Sequence, residues 1–153
     1  GGRWAVGTDS HVGHSPVGEL RMLEYGQRLV TRTRNVAAGP QARSSGRALL
    51  EGAWAGGAQA SGRRIGRLAT GFRGDIVVLD TEHAALVGRE EDDALDSWLF
   101  AGDSSPVRDV FVGGVHTVGE GRHVHEDEIA TRYGAVARAL VARTPQLDLE
   151  LAD

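Results

Sequence analysis

The chain has 153 residues and neither cysteine nor lysine. Without cysteine there is no disulfide framework, no thiolate metal site and no Cys–His pair. Without lysine there is no phosphate-binding loop of the G-x-x-x-x-G-K-[ST] type. All 17 basic residues are therefore arginines, and they are scattered among 21 acids for a formal net charge of −4. Nothing resembles the basic stripe of a nucleic-acid binder, so no nucleic-acid partner is expected. No apolar run approaches the ~20 residues of a membrane-spanning helix. No membrane partner is expected, and a cytoplasmic setting fits. A nucleophile elbow of the G-x-S-x-G type is missing as well. The sequence opens at Gly1 with no initiator Met and no signal-like leader. It therefore reads as the C-terminal piece of a longer protein. Its length suffices for one ordinary core and falls short of a complete β/α barrel, which takes roughly 250 residues.

What is present divides into a helical first part and a strand-rich second part. Trp4-Ala5-Val6 leads into Gly7-Thr8-Asp9-Ser10-His11, and residues 4–8 read as a short buried strand opening into a loop. Ser15-Pro16 marks a helix start, with Ser as the cap and Pro preorganised in the first turn. Leu20, Leu23 and then Gln27 or Val30 recur at helical spacing, while Glu24 and Arg28 form an i,i+4 pair on another face. This helix is expected to reach about Asn35. A second helix should start after Ser45, carrying Leu49, Leu50, Ala53 and Trp54. Gly56-Gly57 should break it, or leave a short helix running on through Ser61. A turn-rich connector precedes Asp75-Ile76-Val77-Val78-Leu79-Asp80, a β-branched strand. Residues 94–100 predict one or two helical turns. Residues 107–112 and 115–118 predict a hairpin closed by Gly113-Gly114. Ile129, Tyr133, Val136, Ala137 and Leu140 mark the clearest amphipathic helix. The expected organisation is 1–62 as a strand and helices, 63–122 as a sheet portion, and 123–153 as a C-terminal helix and tail.

Asp9 is the candidate that carries chemistry. A carboxylate where a strand opens into a loop is placed as catalytic and metal-binding groups are placed in β/α barrels. An Asp in a Gly-Thr-Asp-Ser loop also reads as a turn or cap residue. His11 and His14 lie in the same loop, as substrate or supporting contacts or as plain surface histidines; His11 is the weak substrate-binding candidate. His123-Val124-His125 has a spacing that metal sites use, but no third ligand other than carboxylates stands near it, and solvated loop histidines fit better. Ser10, His11 and Asp9 are neighbours in sequence, which is not triad geometry. Trp54 and Trp98 read as packing residues.

As a set, several blocks resemble the formimidoylglutamate deiminases of the amidohydrolase superfamily. They begin with Gly7-Thr8-Asp9-Ser10 and run on through Ser15-Pro16-Val17-Gly18-Glu19-Leu20-Arg21-Met22-Leu23-Glu24-Tyr25-Gly26-Gln27-Arg28-Leu29 and Arg32-Thr33-Arg34-Asn35. Gly56-Gly57-Ala58-Gln59-Ala60, Gly66-Arg67-Leu68-Ala69, residues 75–80, Leu95-Asp96-Ser97-Trp98-Leu99-Phe100 and Arg108-Asp109-Val110-Phe111-Val112-Gly113-Gly114 agree with it. The Leu-Glu-Tyr-Gly-Gln-Arg-Leu and Leu-Asp-Ser-Trp-Leu-Phe-Ala blocks are specific to this branch; the block at 66–80 is common to many amidohydrolases.

The resemblance implies an α/β fold: the C-terminal part of a metal-dependent β/α barrel (last strand and helices), part of a small β-sandwich, and a C-terminal helix. It implies one divalent metal, Zn2+, and hydrolysis of N-formimino-L-glutamate to N-formyl-L-glutamate and ammonia in histidine degradation. The expected partners are a small-molecule substrate and, for the full-length protein, a second copy in a homodimer. Asp9 matches the strand-eight aspartate of the family, a metal ligand that also handles the proton. The histidine ligands would lie on strands outside this chain. The chain alone is therefore expected to be inactive, to bind metal weakly or not at all, and to be marginally stable unless it dimerises or meets its missing half. A related deaminase of heterocyclic amines and a non-catalytic scaffold or interaction domain are the alternatives.

Overall fold

Ser15 and Pro16 start the first helix as their chemistry suggests. In the computed structural model, which describes residues 2–10 and 13–143, α1 spans Pro16–Thr31. The Ser15 hydroxyl accepts from the Gly18 amide at 3.1 Å. The helix stops earlier than the expected Asn35, because Arg32 takes left-handed dihedrals (φ 56°) and its amide closes on the Arg28 carbonyl at 2.8 Å. The reason lies on Glu24. Its carboxylate accepts the amides of Val36 and Ala37, both at 2.9 Å, which folds the chain back over the helix. The buried stripe of α1 is accordingly Leu20 and Glu24, with Val17 beside them. Leu23 and Val30, expected inward, are exposed.

α2 spans Ser45–Ser61, capped by the Ser44 hydroxyl at 2.9 Å from the Arg47 amide and ended by Gly62 at φ 64°. It runs unbroken through Gly56-Gly57, against expectation. Gly52 and Gly56 are seats for the N-terminal segment. A Cβ on Gly52 would stand 2.6 Å from the Trp4 ring, and one on Gly56 would overlap the Trp4 carbonyl. The Trp4 ring over Gly52 and the backbone of residues 4 and 5 over Gly56 thus lie against α2 where two side chains are missing, and this close approach offsets the helix-propensity cost of glycine.

Residues 4–8 form no strand, a second correction. A strand exists only with a ladder partner, and no described segment lies alongside to supply one. α3 spans Glu91–Phe100 and begins three residues before the turns expected at 94–100. It packs on α1 and α2, and Leu20, Leu49, Leu50 and Leu99 form the core between them. Gly46 permits the contact: a Cβ there would meet the Leu95 carbonyl carbon and the Asp96 amide at 2.9 Å.

The second part is one antiparallel sheet in the order β1 (Ile76–Leu79), β2 (Val107–Val112), β3 (Val115–Gly119), β4 (Arg122–His123). β1 pairs with β2 through Val77↔Val110, with a register shift after Val78. Gly113 and Gly114 have φ 61° and 83°, the paired positive values of a tight hairpin turn. Glu120 and Gly121 repeat the device between β3 and β4 (φ 50° and 74°). α4, Glu126–Arg143, ends the described chain; none of its residues is buried.

Candidate functional site

Asp9 lies in the turn after the segment seated on α2. It is exposed, and its φ of 40° is left-handed, a conformation that Asp tolerates better than most residues. Among the described residues its carboxylate makes no hydrogen bond or ion pair. His14, in the same loop, is exposed. His11 lies outside the described residues. Beside the loop, an open groove of about 630 Å³ runs between residues 4–7 and the face of α1 that carries Glu19, Met22, Leu23, Gly26 and Gln27. Its walls are mainly apolar side chains and backbone.

His123 and His125 do not form a metal pair. The His125 amide donates to Nδ1 of His123 at 3.1 Å, so that ring nitrogen is engaged in a local turn. Both rings are exposed, 5.7 Å apart. No group of three or more His, Cys, Asp or Glu among the described residues is arranged to hold a metal ion. A second groove, of about 900 Å³, is lined by Arg3, Arg63, Arg64, Arg67, Trp54 and Phe72 among others; Asp9 is not part of it.

Several polar residues that the sequence leaves inconspicuous hold the helical part together. Arg21 caps the end of α3, donating through Nε to the Leu99 carbonyl at 2.6 Å and through NH2 to the Gly102 carbonyl at 2.8 Å. Tyr25 stacks on Phe100 with centroids 5.9 Å apart, and the Arg28 guanidinium lies 5.3 Å from both rings. Asp96 on α3 accepts from the Ser44 hydroxyl at 2.9 Å and the Gly46 amide at 2.6 Å, which ties the start of α2 to α3. The spacing of charged residues signals none of the Arg21 and Asp96 hydrogen bonds, since each partner is remote in sequence. On the sheet, Asp109 sits between Arg108 (2.7 Å) and His116 (2.8 Å). The Arg108 hydrogen bond first, and then that of His116, hold its carboxyl below the ordinary aspartate value.

At the candidate site the described residues therefore offer one carboxylate, that of Asp9, on an exposed turn. A catalytic zinc typically takes three protein ligands, so these residues do not fit the ion by themselves. No described helix is long and apolar enough to cross a membrane.

Comparison with known proteins gives the arrangement a context. No family model matches the sequence. The chain is 48% identical over 141 residues to a formimidoylglutamate deiminase of Pseudomonas aeruginosa, covering 92% of this chain and 31% of the relative. It thus spans about a third of that relative's length. The structure is similar to an amidohydrolase from Brucella melitensis, with a TM-score of 0.81 and 41% identity over 92% of this chain and 30% of that one. It is also similar to an atrazine chlorohydrolase from Arthrobacter aurescens complexed with zinc, with a TM-score of 0.66 and 28% identity over 88% of this chain and 28% of that one.

Proposed function

From the premise that this chain is homologous to part of formimidoylglutamate deiminase, an amidohydrolase, we propose that it is the portion of such an enzyme that presents Asp9 to a metal-dependent hydrolytic site. The observation that carries this reading is the identity of 48% across 92% of the chain. The exposed carboxylate of Asp9, on a turn at the end of the seated segment, supports it.

The reaction of the whole enzyme is hydrolysis of N-formimino-L-glutamate to N-formyl-L-glutamate and ammonia. A divalent metal, zinc, would supply a bound water of lowered pKa. Asp9 would contribute one donor oxygen and a site that accepts a proton; the remaining ligands come from polypeptide outside these 153 residues. The substrate is a small molecule, and the setting is the cytoplasm. Stretch 1–62 belongs to the end of the barrel, 63–122 to a small β-sandwich, and 123–153 to a terminal helix and tail. The isolated chain releases no ammonia.

The test uses the full-length polypeptide that carries this chain. Ammonia release is measured with N-formimino-L-glutamate and with guanine and adenosine-type substrates. Preference for the linear amidine supports the reading; preference for a heterocyclic amine replaces it with the related deaminase. Asp9→Asn should lower kcat/KM by about 10³-fold, within the range for loss of a proton-transfer group, and should reduce bound zinc. Unchanged activity and metal content would remove Asp9 from the site.

A further inference from the structure

Ser45 opens α2 in the interior of the helical part. It is 5% exposed, and its hydroxyl has no hydrogen-bond partner among the described residues. A buried hydroxyl left unsatisfied is costly, so one that persists calls for a partner from outside the chain. Ser45 lines a cavity of about 370 Å³ bordered by α1, the start of α2 and α3. Ser97 of α3, also 5% exposed, lines it too, and its hydroxyl makes no hydrogen bond among the described residues. Small-molecule sites span roughly 300–1,000 Å³ and are mostly apolar; this one is small and mainly polar. Its charges are of both signs: Arg28, Arg43 and Arg89 against Asp93 and Asp96. Arg28 is already matched by Glu24 at 2.7 Å. The side chains of Arg43, Arg89 and Asp93 make no hydrogen bond or ion pair among the described residues. Asp96 takes the Ser44 hydroxyl and the Gly46 amide on Oδ1 alone, so its Oδ2 carries no bond there. The start of α2 thus has its anion in Asp96, and its dipole is not what would draw another.

Two guanidiniums and two carboxylates with unused capacity therefore border one small cavity with buried hydroxyls in its wall. A simple anion or a simple cation would meet its own sign there as well as the opposite one. A molecule that carries both charges close together meets an opposite at each end, and partly buried pairs are screened less than exposed ones. We propose that this cavity binds a small zwitterion of the α-amino acid class. Its carboxylate is received by Arg43, Arg89 and the hydroxyls of Ser45 and Ser97, the Ser45 hydroxyl turning about χ1 to donate. Its ammonium is received by Asp93 and by Oδ2 of Asp96. Asp9 is not part of the wall, so the site does not depend on the hydrolytic reading. An occupant would tie α1, α2 and α3 to one another, and a ligand that binds only the folded state raises its stability.

The test titrates the full-length polypeptide that carries this chain with glycine, L-alanine and L-serine, by calorimetry and by thermal melts. At least one of the three should bind saturably and raise the melting midpoint. Acetate, which keeps only the carboxylate, methylammonium, which keeps only the ammonium, and inorganic phosphate should each bind at least about tenfold more weakly than that amino acid. Ser45→Ala should leave the ligand-free melt no lower than that of the wild type and weaken the amino acid about tenfold. Arg89→Gln and Asp93→Asn should weaken it to a similar extent, whereas Asp9→Asn should bind it as the wild type does. No saturable binding of any of the three amino acids would overturn the proposal. Acetate or phosphate binding as tightly would overturn the zwitterion and leave a plain anion pocket. Unaltered affinity in both Ser45→Ala and Asp93→Asn, or affinity lost in Asp9→Asn alone, would place the ligand elsewhere and overturn the assignment to this cavity.

Discussion

Glu24 is 1% exposed, yet every part of its carboxylate is engaged. Burial by itself would raise its pKa; the Arg28 hydrogen bond at 2.7 Å and the amides of Ala37 and Val36 more than offset this, and the net value lies below the ordinary 4.5. A carboxyl depressed in the folded state contributes stability that is present above the unfolded-state pKa and is lost as pH falls through the folded one. Thermal melts of the wild type should therefore lose stability below about pH 4.5. Glu24→Gln should be destabilised by about 2–4 kcal/mol at pH 7, since it leaves Arg28 without its partner, and should show a flatter acid limb. An unaltered acid limb in the variant would show that Glu24 is not the responsible group.

Ser44 and Ser45 are neighbours with opposite roles. Ser44 caps α2 and donates to Asp96, whereas the buried Ser45 hydroxyl finds no partner among the described residues. Ser44→Ala should cost about 1–2 kcal/mol. Ser45→Ala should be neutral or stabilising by up to about 1 kcal/mol. Denaturant midpoints of the two variants check both, and equal losses would refute the distinction. The sequence shows the Glu24–Arg28 spacing but not its burial, because burial comes from residues 36 and 37 folding back. The candidacy of Asp9 rests on the resemblance of the residues around it, and its turn supplies no partner among the described residues that would mark it locally.

At the scale of elements, periodicity locates α1, α2 and α4 and the β2–β3 hairpin, because these depend on local caps, turns and alternation. It misplaces what depends on distant partners. Residues 4–8 have the composition of a strand and lack a ladder. Gly56 has the composition of a helix break and is instead a seat for Trp4 and Ala5. Two of the blocks that carry the resemblance meet each other in space: Arg21 holds the end of α3, and Tyr25 stacks on Phe100. Their pattern therefore records the α1–α3 contact. Gly56→Ala separates the two effects of glycine. Alanine favours the isolated helix by about 1 kcal/mol but collides with the Trp4 carbonyl. The expected outcome is unchanged or increased helicity together with a shifted Trp4 indole resonance and faster amide exchange at residues 4–7. An unmoved Trp4 resonance would mean that the segment is not held on α2.

Taken whole, the chain buries too little for its mass. Its accessible surface is 11820 Å² at 16.2 kDa, where a compact monomer of that mass exposes about 7,500 Å². The large apolar side chains buried among the described residues are five leucines, together with Pro106. Met22, Leu29, Val30, Trp54, Leu68 and Val87 are exposed, as are Ile129, Tyr133 and Val136 of α4. Surface of this kind marks a face built to be covered, in keeping with a chain that spans 31% of its relative. The isolated chain should therefore melt with a broad transition whose midpoint rises with concentration, and it should bind a hydrophobic dye before unfolding. Supplying in trans the part of the Pseudomonas aeruginosa relative outside the matched region should sharpen the melt and remove the dye signal, because edge backbone at residues 4–8 would gain a ladder and the outer face of α1 a cover. A scaffold domain that folds alone predicts the reverse: a sharp, concentration-independent transition of a monomer, no dye binding, and no response to the added polypeptide.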